Sequence, residues 1–186
     1  VAEVVRLTNA AGWSHNIYCE QPYTGPDGRY VLVGRTYDTL SGHYQLLAAD
    51  LKTLKLTLLE RDLPCEFVAH HAYSEWAYYP TREGELRRVS LLTLERQSVL
   101  PAGTLKPYPQ QMFETATKDD KWLIGYEPTG QGTFRGIALE VATGKVHVHM
   151  ESPDNRNPHT QADTAGGTRL MQQLLPNDPV EVVVVT

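Results

Sequence analysis

The sequence predicts an all-β fold, a β-propeller whose blades each contain four antiparallel strands, and three observations lead to this prediction. Aromatic residues that follow a polar turn and begin an apolar run recur at a constant spacing of 46 positions, at Tyr30, Trp76 and Trp122. One further step of that length reaches Thr168, inside another turn that precedes an apolar run. Apolar and polar residues alternate within the runs, as in half-buried strands, and no stretch keeps a helical period. A repeat of this length made of about four short strands is typical of a propeller blade.

Each repeat is predicted to contain strands A to D, in order from the propeller axis outward. Strand A is assigned to residues 17–23, 65–73, 111–117 and 158–164. Strand B begins at the recurring aromatic position, and strands C and D form a hairpin around a tight turn. These hairpin turns are assigned to residues 52–54, 93–95 and 142–144.

We expect one propeller domain over residues 1–186, of about four repeats. The repeats are assigned to about 9–60, 65–101, 111–151 and 158–186, with 1–8 as a closing strand. The last repeat ends after its strand C, "VEVVVVT", while residues 1–8 look like a spare strand D. Two architectures are open: a small ring of four blades closed by residues 1–8 beside 180–186, or a part of a larger propeller.

The composition suits one globular domain and indicates neither a nucleic-acid-binding surface nor a membrane span. The 186 residues are 41% hydrophobic and 21% charged, with a formal net charge of −5, and basic residues form no run. No apolar run has the length of a membrane span, and the first residues, beginning with Val1, lack a secretory signal pattern. Two cysteines, Cys19 and Cys65, form no disulfide framework, which is compatible with a cytoplasmic location. An oligomer is compatible with all of these features.

Several segments resemble the oligogalacturonate lyase family. The stretch "VVRLTNAAGWSHNIYCEQPYTGPDGRYVLVGRTYD" followed by "YQLLAADLKTLKLTLL" is similar to the opening blade of that family. The shared features are an Arg-Leu-Thr strand end, a His-containing loop, an Asp-Gly turn and an "LLAADLKT" strand C. "LRRVSLLTLERQSVLP" and "ALEVATGKVHVHME" continue the resemblance into the second and third blades, so it covers nearly the whole chain.

The resemblance implies a carbohydrate lyase of pectin degradation. Members of the family are seven-bladed propellers that cleave short oligogalacturonides by β-elimination, with a Mn²⁺-type divalent ion in the site. A histidine removes the C5 proton of the uronate, and the metal neutralises the carboxylate. Seven blades need roughly twice this chain length, and the family's catalytic histidine and most metal ligands come from later blades. We therefore assign no catalytic base and expect the chain alone to be a poor or inactive lyase. The alternative is a non-catalytic propeller that binds a glycan or protein partner.

The segment "ESPDNRNPHTQAD", residues 151–163, carries the candidate metal ligands. Asn157, His159 and Gln161 are two apart and would share one face of a strand. The resemblance implies a metal role for His159 and Gln161, since the family has a His-x-His segment at this place in its last blade, with Asn157 here replacing the first histidine. The alternative is that these side chains satisfy backbone groups at a polar strand start. Arg156 is a candidate partner for a sugar carboxylate.

Two further candidates lie in the loop before the first strand A. His15 is expected at the same end of the blades as His159, where it could face a bound sugar, and Trp13 could supply a stacking face. The alternative is that His15 simply packs beside Trp13. The adjacent pair His70 and His71 is interpreted as structural, and His147 with His149 as a solvated outer edge.

Overall fold

The computed structural model describes residues 7–8, 12–17, 21–37, 42–156 and 158–163, together with the backbone of strands at 169–173 and 180–184. The strands in this part of the chain are β1 (Trp13–His15), β2 (Tyr30–Thr36), β3 (Tyr44–Asp50), β4 (Lys55–Leu63), β5 (Ala69–His70), β6 (Trp76–Pro80), β7 (Leu86–Ser90), β8 (Arg96–Leu100), β9 (Met112–Ala116), β10 (Trp122–Pro128), β11 (Phe134–Glu140), β12 (Val146–Glu151), β13 (His159–Ala162), β14 (Arg169–Gln173) and β15 (Val180–Val184). Across these residues, no helix is long and apolar enough to cross a membrane.

The strands form successive antiparallel blades. The first blade has the order β1-β2-β3-β4, and the fourth contributes β13-β14-β15. The second blade, β5 to β8, and the third, β9 to β12, share one sheet because their inner strands β5 and β9 pair in parallel at His70 and Thr115. Inner strands that run parallel from one blade to the next are what a propeller places around its axis.

The recurring aromatic positions begin equivalent strands, as the sequence predicts. Tyr30, Trp76 and Trp122 are the first residues of β2, β6 and β10. Thr168 lies outside the described residues, and β14 begins one position later. The strand C to strand D turns also repeat: the N–H groups of Leu54, Leu94 and Gly144 donate to the carbonyl four positions earlier. All three residues have positive φ, at 58°, 63° and 75° respectively.

The apolar core lies between the blades. One buried cluster joins the first blade to the second, and another joins the second to the third. Trp76 packs against the second of these clusters, whereas Trp122 packs against Ile124, Ala138 and Ala162, between the third and fourth blades. The two tryptophans thus occupy equivalent places one blade apart, which confirms the predicted equivalence.

The inner strands differ most from prediction. Strand A of the first blade is predicted at residues 17–23, of which 18–20 lie outside the described part. In the described part, β1 pairs with β2, and Thr24 adds an isolated bridge to Val31. β5 is two residues long, within a predicted nine-residue segment. The predicted closure involves residues 1–6 and 185–186, which lie outside the described part. Leu7 packs against the cluster of Val33, Leu47 and Ala49 on the first blade.

Candidate functional site

A cavity of about 570 Å³ opens where the segments before β5, β9 and β13 meet the end of β10 and the start of β11. Its aromatic wall consists of Phe67, Tyr108, Tyr126 and Phe134. The rest of the apolar lining consists of Met112, Pro109, Pro128 and Pro158. The polar lining consists of Glu114, Arg156 and His159. An apolar cavity with a few convergent polar groups is the usual form of a small-molecule site.

A close approach of β9 to β10 builds one wall of this cavity. A Cβ at Gly125 would lie 1.8 Å from the carbonyl oxygen of Met112, so glycine at this position permits the approach. The pairing register shifts at the same place, between Ile124 and Gly125. Met112 and Tyr126 are therefore brought together at the cavity surface.

The aromatic side chains present both ring faces and edges. Tyr126 and Phe134 meet edge to face, with centroids 5.3 Å apart at 79°, while Phe67 and Tyr108 are 6.5 Å apart at 38°. Tyr108 remains 42% exposed, so it is accessible to a ligand. Aromatic faces of this kind pack against the apolar faces of flat or ring-shaped ligands.

Glu114 is a cavity residue that the sequence reasoning missed. It lies in the middle of β9 and is only 3% exposed, and the Tyr126 hydroxyl donates to its Oε1 at 2.8 Å. A buried carboxylate that lines a cavity can accept hydrogen bonds from ligand hydroxyl groups. The only available signal was a charged residue inside the otherwise apolar start of "MFETA".

Two of the predicted site residues line the cavity. Arg156 and His159 come from the segment that leads into the fourth blade. Gln161 shares a face of β13 with His159, since both are half-buried while Thr160 and Ala162 are buried, but it is not part of the described cavity lining. Asn157 lies outside the described residues.

His15 lies beside the cavity rather than in it, and Trp13 is not part of the lining. The His15 ring lies over Gly34, where an added Cβ would come within 2.6 Å of the ring, and its Nε2 lies 3.4 Å from Oε2 of Glu66. Glu66 directly precedes the cavity residue Phe67, so His15 is on the same side of the blades as the cavity. Trp13 is 72% exposed. The structure therefore does not bring His15 and His159 into one cavity.

The remaining histidine pairs have structural roles. His70 and His71 are buried, and each places both ring nitrogens near backbone carbonyl oxygens. The predicted solvated edge is wrong for His149, whose two ring nitrogens are buried, whereas for the half-buried His147 it stays a prediction. His147 packs edge-on against Trp122 at 5.4 Å, and His149 lies over Gly136 with burial lowering its pKa.

The described residues do not by themselves fit a manganese ion. They contain no group of three or more His, Cys, Asp or Glu side chains that could hold a metal. His159 and Gln161 offer one imidazole and one amide oxygen, whereas Mn²⁺ favours several oxygen ligands, with carboxylates prominent among them. The metal role of these two residues stays a prediction.

A second groove, of about 500 Å³, is lined by charges that already pair with one another. Arg87 bonds Glu60 at 3.2 Å and Glu85 at 2.9 Å, and Arg96 reaches both Glu60 and the carbonyl oxygen of Leu59. These contacts tie the outer strand of the first blade to the second. The groove is thus explained as an inter-blade ion network.

Comparisons with known proteins identify the fold. No family model matches the chain, and no curated protein matches it. An oligogalacturonate lyase structure from Vibrio parahaemolyticus is similar over 93% of this chain and 50% of its own, with a TM-score of 0.61 and 20% identity. An oligogalacturonate lyase in complex with manganese is similar over 96% of this chain and 53% of its own, with a TM-score of 0.63 and 19% identity.

TolB from Acinetobacter baumannii is equally similar in structure, with a TM-score of 0.61 over 96% of this chain and 42% of its own, at 11% identity. At these identities the likeness concerns the fold alone. The chain spans about half the length of the lyase structures that it resembles. The predicted fold class is confirmed: this chain has the β-propeller fold.

Proposed function

We propose that this chain binds a short acidic saccharide in the cavity that precedes β5, β9 and β13. The observation that carries the proposal is the combination of four aromatic side chains with Arg156, Glu114 and His159 in one lining. Aromatic rings pack against the apolar faces of a sugar, and a guanidinium pairs with a uronate carboxylate through two parallel hydrogen bonds. Glu114 accepts from sugar hydroxyl groups, and His159 adds a further hydrogen-bonding group.

The similar lyase structures support the choice of an acidic saccharide. Their names assign them oligogalacturonate as substrate, and the two chains share the arrangement of blades with this one. We propose that the cavity retains recognition of a uronate while β-elimination needs further groups. His159 and Gln161 would contribute at most two ligands to a divalent ion, and efficient elimination requires base and carboxylate in one fixed geometry.

Calorimetric titration with digalacturonate tests the proposal, with galactobiose as the uncharged counterpart. We expect measurable binding of the diuronate and at least tenfold weaker binding of galactobiose, since a charge-assisted hydrogen bond contributes about 1.5–3 kcal/mol. Arg156→Gln should remove this preference, whereas Arg61→Gln, at an exposed position on β4, should leave it intact. Equal affinity for the two saccharides, or an unchanged preference in Arg156→Gln, would refute the proposal.

The position of the site is tested by two histidine variants. His159→Ala should weaken digalacturonate binding because His159 lines the cavity. His15→Ala should leave it unchanged because His15 contacts Glu66 outside the lining. The reverse pattern would place the site at the first blade.

A further inference from the structure

The carboxylate of Glu127 is the centre of a group of four side chains that we name the Glu127 clamp: Lys106, Gln111, Glu127 and Arg135. Glu127 is 4% exposed. Its Oε1 accepts from Nζ of Lys106 and from Nε2 of Gln111, both at 3.0 Å. Its Oε2 accepts from Arg135 at 3.1 and 3.2 Å. The backbone N–H of Lys106 also donates to Gln111, at 3.2 Å, which closes the group on the loop side.

Every member of the clamp lies within two positions of a cavity-wall residue in the sequence. Glu127 lies between two wall residues of β10, and because side chains alternate along a strand it points away from the face that they share. The two neighbours of Glu127 are Tyr126 and Pro128. Arg135 follows Phe134, Gln111 precedes Met112, and Lys106 lies two positions before Tyr108. The clamp therefore lies directly behind the wall and joins its separate pieces.

The segment between β8 and β9 is attached to the clamp at two points. Residues 101–111 contain no strand, and the buried Leu105 fixes the segment to the second blade by donating to the carbonyl of Gly84 at 2.9 Å. Beyond Leu105, the clamp holds the segment at Lys106 and again at Gln111. The exposed tip that carries Tyr108 lies between these two attachment points.

The balance of charge explains why a buried carboxylate is tolerated here. Lys106 and Arg135 offset Glu127, and Arg135 also lies 3.5 Å from Glu151, which is 67% exposed. A buried ion cluster of this kind generally adds little net stability compared with apolar packing, but it specifies geometry. Loss of the clamp is therefore expected to change the position of the attached segments more than the overall stability of the protein.

We propose that Glu127 is a positioning residue that holds the cavity wall, and Tyr108 in particular, in the arrangement that a ligand meets. The inference rests on the proposed function, because the wall matters for binding only if the cavity is the site. Glu127 itself does not line the cavity. It acts through Tyr108 and Tyr126, and a ligand gains affinity because these rings need no ordering when it binds.

The isosteric change Glu127→Gln isolates this role. A glutamine has one acceptor oxygen, whereas donors lie on both sides of Glu127, so its amide NH₂ must face either the Lys106 side or Arg135. The variant thus breaks one half of the clamp without changing its volume. Lys106→Met breaks only the attachment of the loop, and Lys106 is 53% exposed, so this variant is expected to fold. Glu151→Gln is the matched control, since it removes an acidic partner of Arg135 outside the clamp.

Hydrogen–deuterium exchange of residues 102–112 gives a readout that needs no ligand. We expect exchange in this segment to rise about tenfold in Glu127→Gln and less in Lys106→Met, with no change in Glu151→Gln or in residues 44–63 of the first blade. Digalacturonate titration of the same variants should show an affinity loss of about tenfold for Glu127→Gln, a smaller loss for Lys106→Met and none for Glu151→Gln.

The two readouts separate this inference from the proposed function. If the unmodified protein binds no digalacturonate, the proposed function fails, and faster exchange confined to 102–112 still supports the positioning role. Unchanged exchange in both Glu127→Gln and Lys106→Met overturns it. Exchange that rises equally in all blades of Glu127→Gln overturns it as well, because Glu127 would then contribute only to overall stability. If Glu127→Gln does not fold, Lys106→Met decides between these outcomes.

Discussion

The buried imidazole of His70 lies with its Nδ1 2.9 Å from the carbonyl oxygen of Trp76. Its Nε2 lies 3.2 Å from the carbonyl oxygen of Thr24, so the ring joins the second blade to the segment before β2. Thr115 of β9 donates in turn to the carbonyl of His70 at 3.2 Å. Three blades therefore meet at one histidine of the shortest inner strand.

Stability should fall as pH falls below about 6.5, the pKa of histidine in an unfolded chain. Burial lowers the pKa of His70, and the hydrogen bonds to Trp76 and Thr24 only partly oppose this. The folded state then binds fewer protons than the unfolded state, so acid favours unfolding. Urea denaturation at pH 7.5 and pH 5.5 measures the change, and His70→Gln should show a smaller pH dependence. An identical pH dependence in the variant would contradict a titrating role for His70.

Asp120→Asn should raise the free energy of unfolding at pH 7 by about 1 kcal/mol, a figure reduced for the partial exposure of the group. Burial raises the pKa of Asp120 to about 6, although Tyr78 and Arg88 oppose the effect. The folded state favours the protonated carboxyl of Asp120. The stability that this protonated group contributes is therefore lost as the pH rises from about 4, the pKa in the unfolded chain, to about 6, the pKa in the folded protein. Asparagine also tolerates the positive φ of 57° at this position. Thermal denaturation at pH 7 and pH 4 checks this, since the gain should shrink at the lower pH.

Leu54→Gly should increase stability by up to about 1 kcal/mol, because the left-handed conformation is costly for leucine and free for glycine. Leu54 has φ of 58° and is 50% exposed, and the third blade has Gly144 at the equivalent place. Leu94→Gly is the matched control: φ is 63° there too, but Leu94 packs against the core. Chemical denaturation should show a higher free energy of unfolding for Leu54→Gly and no increase for Leu94→Gly. Equal effects at both positions would mean that packing does not distinguish the two turns.

The chain alone should turn over digalacturonate poorly, with or without added Mn²⁺. The chain spans about half of the similar lyase structures, and His159 and Gln161 supply too few ligands for a fixed metal. Absorbance of the unsaturated uronate product measures turnover, and electron paramagnetic resonance of Mn²⁺ measures metal binding. We expect no stoichiometric metal binding in the absence of saccharide. Rapid turnover abolished by His159→Ala would contradict the prediction of inactivity and identify His159 as a participant.

The outer three strands of the first three blades could be predicted because their determinants are local. Polar turns and alternating side chains specify β2, β6 and β10 to within a residue at their first positions. The inner strands could not be placed as well. β5 extends over two residues and pairs with β6 on one side and with β9 of the next blade on the other. Pairing across blades leaves no period in the sequence.

The candidate site divides in the same way. Arg156 and His159 could be chosen as candidates from the sequence: the two-residue spacing with Gln161 and the family resemblance led to His159, and the affinity of guanidinium for carboxylate led to Arg156. Only the tertiary structure shows that His15 is held by Glu66 instead of joining them. The sequence places only Arg135 near Glu127, on the facing strand of one hairpin, whereas the partners Gln111 and Lys106 lie 16 and 21 positions away. Side-chain type and spacing determine the repeating blades, but a cavity forms where separate blades converge, and that convergence depends on contacts between residues far apart in the chain.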